Sequence, residues 1–72
     1  MMITEIGIIA GEIWHYLDRH QNATVTEIIA GIDKPKELVL MSLGWLAREG
    51  HVFVRIEDVG YIVSLKASAV NL

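Results

Sequence analysis

The apolar period of this chain changes once, at Gly50-His51, and that change limits the fold more than any other feature. Before it, apolar residues recur three or four apart: Ile6, Ile9, Ala10, Ile13, Tyr16 and Leu17 in one run, Val39, Leu43 and Leu46 in another. That is the spacing of amphipathic helices. After it the spacing falls to two, as Val52, Val54 and Ile56 alternate with Phe53, Arg55 and Glu57. Asp58-Val59-Gly60 then supplies turn residues, and Tyr61-Ile62-Val63-Ser64-Leu65 runs back. This pattern predicts a β-hairpin with an acidic tip. Helices followed by a hairpin make an α+β fold.

Local signals divide the helical part. Thr4 is the expected N-cap of a first helix ending near His20. Gly7 and Gly11 each weaken that helix by roughly 1 kcal/mol relative to alanine; either they are merely tolerated, or they let another backbone come close. His20-Gln21-Asn22 is a polar break, and Ala23-Thr24-Val25 is a short extended segment. Thr26 is the expected cap of a compact helix, Glu27 to Ala30, closed by Gly31. Pro35 enters a third helix in its first turn, where a missing N–H costs nothing, and Gly50 ends it as a left-handed C-cap. Helix, short strand, short helix, tight turn, longer helix and hairpin match a winged helix-turn-helix, with the hairpin as the wing. The expected domain covers residues 1–66, leaving 67–72 as a C-terminal tail without a pattern.

The stretch "GWLAREGHV" adds a more particular likeness. It resembles the helix end and strand start of a small bacterial and archaeal family of stand-alone winged helix-turn-helix proteins, and the distinctive residues are Gly44-Trp45-Leu46-Ala47-Arg48-Glu49. The likeness spans most of the chain. That family has no established activity, so the resemblance implies a fold and brings no functional residues with it. The fold itself hosts DNA readers, protein-interaction modules and dimerisation domains.

Size and charge narrow the choice. The chain has 72 residues, and a single core of this size seldom supplies more than about 3 to 5 kcal/mol of net stability, so small domains add disulfides, a metal or a second subunit. Cysteine is absent, and His15, His20 and His51 lack ligand spacing. No metal or cofactor is therefore expected, and dimerisation remains. The longest uncharged run, Leu38 to Ala47, is too short to cross a bilayer, and no signal peptide precedes it; a cytoplasmic protein without a membrane partner is expected. Six Lys and Arg against nine Asp and Glu give a net charge of -3, which opposes binding to a polyanion unless the cations gather on one face.

They do not gather in the sequence. With Val39, Leu43 and Leu46 turned inward, the third helix presents Glu37, Met41, Gly44 and Arg48 outward and Leu38 and Trp45 along one flank. This is where a recognition helix would read bases, which requires paired donors or acceptors. Met41 and Gly44 offer neither. Lys34 and Lys36 are flanked by Asp33 and Glu37, Arg48 by Glu49, and Arg55 by Glu57-Asp58. The leading reading is a non-enzymatic interaction module, homodimeric or bound to another protein through an apolar surface of Leu38, Met41, Gly44 and Trp45. Trp45 and Leu38 have a second reading as part of a small core, Trp45 over the first helix or under the wing and Leu38 covering the turn, and Trp14 is read as core. The alternative function is a small dimeric DNA-binding regulator using Lys34, Lys36, Arg48 and Arg55.

An enzyme is not expected. Glu12, His15 and Arg19 share one side of the first helix and read as a solvated face with local ion pairs. Ser42 and Ser64 lack an identifiable His and carboxylate, and no phosphate loop or metal motif occurs.

Overall fold

The computed structural model describes residues 2–66. The tail expected at 67–72 lies outside the described residues. The elements are α1 (Met2–His20), β1 (Asn22–Thr24), α2 (Val25–Gly31), α3 (Lys36–Arg48), β2 (Val52–Glu57) and β3 (Gly60–Leu65). They form a winged helix of three helices and one antiparallel sheet with strand order β1-β3-β2.

Two helix starts differ from expectation. α1 is already formed at Met2, so Thr4 lies within its first turn and does not cap it. Nothing in Ile3-Thr4-Glu5 interrupts a helix, and Glu5 suits the positive end of the helix dipole. α2 is capped by Thr24 instead of Thr26. The Glu27 N–H donates to Thr24 Oγ1 at 3.0 Å, while the Thr24 N–H donates to the Glu27 carboxylate at 2.8 Å. This reciprocal box needs a Glu or Gln three residues after the threonine. Thr24 has Glu27 there and Thr26 has Ile29, so Val25 becomes the first helical residue and leaves the strand.

The other boundaries follow the sequence closely. Pro35 holds the N-cap position of α3 with its φ at -56°, and its carbonyl accepts from the Val39 N–H at 3.0 Å. At the far end Gly50 has φ +81°. There the His51 N–H donates to the Leu46 carbonyl and the Gly50 N–H to that of Ala47. That pair of bonds requires a left-handed residue, which glycine supplies without strain.

The three stripes read from the sequence meet in one core. Ile9, Ile13 and Leu17 of α1, Ile28 of α2, Val39, Leu43 and Leu46 of α3, and Val52 and Val63 of the sheet are all buried. Ser42 is buried among them, and its hydroxyl donates to the Leu38 carbonyl one turn back at 2.7 Å. This bond satisfies a polar group that would otherwise be costly at the helix contact.

The sheet departs from simple alternation. Ala23 and Val54 both pair with Val63, so this row of side chains shares the inner face. Yet only Val52 of β2 is buried, whereas Val54 is 44% exposed and Ile56 is 75% exposed. The hairpin extends beyond the helices, and among the described residues its inner face there has nothing beneath it.

Candidate interaction surface on α3 and the wing

The outer side of α3 is open. A methyl group added at Gly44 would meet nothing within 4 Å. Met41 and Trp45 are 45% and 46% exposed, whereas Leu38 is half-buried against the core. The two flank residues therefore separate: Leu38 takes the core reading and Trp45 the surface one. Trp14, expected in the core, is half-buried and lines a groove.

Two shallow hollows flank the crossing of α1 and α3. Gly7, Ala10, Gly11 and Trp14 of α1 line the first with Trp45, Leu46 and His51, enclosing about 270 Å³. Cβ atoms placed at Gly7 and Gly11 would meet nothing within 4 Å, so the glycines leave this groove open instead of seating an internal neighbour. Trp45 is tilted 39° to the His51 ring, with centroids 5.9 Å apart. The second hollow, of about 250 Å³, brings Leu38 and Pro35 together with Ile8 and Glu5. Leu38 and Trp45 thus stand in different hollows, and Met41 and Gly44 line neither.

The four candidate phosphate contacts are also divided. Lys34 Nζ lies 2.9 Å from a Glu12 carboxylate oxygen, and Arg55 Nε lies 2.6 Å from Glu57. Exposed pairs of this kind contribute about 0 to 1 kcal/mol, but each sets a carboxylate beside a cation that would have to meet a phosphate. Lys36 and Arg48 occupy opposite ends of α3, roughly 18 Å apart at about 1.5 Å per residue. Among the described residues neither has a carboxylate within ion-pair distance.

Glu12, His15 and Arg19 line a third hollow, of about 390 Å³, together with Tyr16, Gly31, Ile32 and Asp33. Glu12 pairs with Lys34 across the fold, not with His15 or Arg19 on its own helix. His15 sets its ring edgewise to Trp14 at 5.5 Å. Among the described residues no group of three His, Asp or Glu could hold a metal, and no helix is long and apolar enough to cross a membrane.

The outer strand adds exposed apolar residues, Phe53, Val54 and Ile56, that are not among the candidate residues. The available signal was "VFVRI", which carries apolar residues on both faces where a half-buried strand has one.

A three-helix core, a short helix turning into α3 and a C-terminal hairpin define the winged helix-turn-helix class. Within it, residues 1–65 match the family described as "Winged helix-turn-helix domain (DUF2582)", and the chain belongs to that family. It is 33% identical over 64 residues to the uncharacterized protein MJ1608 of Methanocaldococcus jannaschii, covering 86% of this chain and 91% of that one. Its fold is similar to the solution NMR structure of protein BT2368 from Bacteroides thetaiotaomicron, with TM-score 0.83 and 23% identity over 96% of this chain and 84% of that one.

Proposed function

We propose that this chain is a non-enzymatic winged-helix interaction module that works as a homodimer, its apolar outer surface covered by protein. The observation that carries this reading is the outer side of α3. At the position of a recognition helix it exposes Met41, Gly44 and Trp45, which lack the paired donors and acceptors that base edges require. Trp and Met are enriched in interface cores. A second subunit also supplies the apolar burial that a short, cysteine-free chain lacks. Static light scattering at micromolar concentration should return twice the chain mass. A monomer at every accessible concentration would overturn the homodimer.

One observation favours a second reading, a small dimeric DNA-binding regulator. Lys36 and Arg48 are exposed on α3 and have no carboxylate partner among the described residues. On this reading a labelled duplex binds at low salt with a steep salt slope. Lys36→Ala and Arg48→Ala each lower that slope by about one unit per chain along with the affinity. Fluorescence anisotropy that stays flat at low salt, with protein in the tens of micromolar, would remove this reading.

A further inference from the structure

Among the described residues, the sheet ends on a strand that nothing covers. β2 is outermost in the order β1-β3-β2, so one side of its backbone has no ladder. The direction of its free groups follows from a single bond: the Lys66 N–H donates to the His51 carbonyl at 3.1 Å. Hydrogen-bonded pairs alternate along an antiparallel ladder. Phe53, Arg55 and Glu57 therefore turn their N–H and C=O groups toward β3, while Val52, Val54 and Ile56 turn theirs to the open edge. Natural edge strands are usually blunted by charged side chains, proline, a bulge or short length, and the two charges of β2, Arg55 and Glu57, are paired with each other at 2.6 Å. β2 has six residues, no proline and no lysine, and it pairs with β3 without a bulge from Val52 to Glu57. Its side chains Phe53, Val54 and Ile56 are exposed, on both faces.

We propose that a second copy of this chain lays its β2 antiparallel against this one, with Val54 on the two-fold axis, so that two three-stranded sheets become one of six strands. This rests on the homodimer reading but places the contact between the two copies at the β2 edge, not on the outer side of α3. A two-fold axis through the sheet pairs each residue with one on the same face, and only Val54 or Arg55 at its centre lets five of the six strand residues overlap. With Arg55 central, guanidinium opposes guanidinium and Phe53 opposes Glu57. With Val54 central, Val54 opposes Val54, Val52 opposes Ile56, and Arg55 lies across from the Phe53 ring, a favourable cation–aromatic pair. Glu57 then comes beside the second copy's His51. In that register the free N–H and C=O groups of Val52, Val54 and Ile56 all meet one another, whereas with Arg55 central only those of Val54 and Ile56 do, so charge chooses the alignment and hydrogen bonding agrees with it. The second copy's Asp58-Val59 turn runs alongside Glu49 and Gly50, next to the His51 end of the tryptophan-lined groove.

The cysteine-free sequence makes the test direct. In Val54→Cys the two substituted residues oppose each other with Cα atoms about 5.5 Å apart, within disulfide reach. In Ile56→Cys they are offset along the strands well beyond the roughly 7 Å that a disulfide spans. Mild oxidation at micromolar concentration should convert most of Val54→Cys, and little of Ile56→Cys, to a covalent dimer on non-reducing gels. Val54→Pro removes an N–H that faces the open edge and spares those bonded to β3. It should halve the light-scattering mass while the far-ultraviolet circular dichroism persists. A wild-type dimer whose Val54→Cys variant does not cross-link overturns the strand contact and leaves the homodimer reading standing. A monomeric wild type overturns both.

Discussion

Ile13→Ala should leave much of the chain unfolded at room temperature. Ile13 is fully buried where the stripes of α1 and α3 meet the sheet. Truncating an isoleucine at such a site costs about 2 to 5 kcal/mol, because the lost transfer energy is joined by the energy of the cavity left behind. A domain of this length has roughly 3 to 5 kcal/mol to lose. Urea titration followed by circular dichroism should show the folded baseline shortened or gone. Ile3→Ala, at a residue 75% exposed, should shift the midpoint by no more than about 0.5 kcal/mol. If the folded form is a dimer, raising protein concentration restores part of the Ile13→Ala signal by mass action. An Ile13→Ala variant within 1 kcal/mol of wild type, a threshold far below the usual cavity cost, would contradict the packing of α1 described above.

The helical stripes were legible because burial on a helix repeats at the spacing of its apolar residues. Val39, Leu43 and Leu46 point inward as that spacing requires. Leu38 and Trp45 could not be separated in this way, since seven residues return a helix to nearly the same angle. What separates them is the crossing of α1 and α3, which seats Leu38 beside Ile8 and leaves Trp45 at a groove edge. The wing shows the same limit. Alternation placed Val52, Val54 and Ile56 on one face correctly, but how far a strand runs past its supporting helices is a tertiary property. The Thr24 cap is legible in the sequence, because Glu27 three residues on distinguishes Thr24 from Thr26, which has Ile29 there. The ion pair between Lys34 and Glu12 joins residues 22 apart in the chain, and local spacing carries no trace of it.

Gly31→Ala should destabilise the fold for a reason the sequence does not display. Gly31 reads as a helix terminator, and a terminator often tolerates alanine; its φ is not in the left-handed range. Space decides instead. A Cβ at this position would sit 2.5 Å from Tyr16 Cε2. The tyrosine ring is not idle, because it stacks on His20 with centroids 4.1 Å apart, and its hydroxyl donates to the Glu27 carbonyl at 3.5 Å. Moving the ring disturbs both contacts where the end of α1 meets α2. Overpacking of this kind costs about 1 to 3 kcal/mol, against a gain of about 0.4 to 1 kcal/mol from a less flexible unfolded chain, so the net change is a loss. Urea midpoints in a double-mutant cycle isolate the cause. In a Tyr16→Ala background the Cβ meets no ring, and the Gly31→Ala loss should disappear or become a small gain. An undiminished loss in that background would place the strain in the backbone of the turn that leads through Ile32 and Lys34 to α3, and not in the tyrosine.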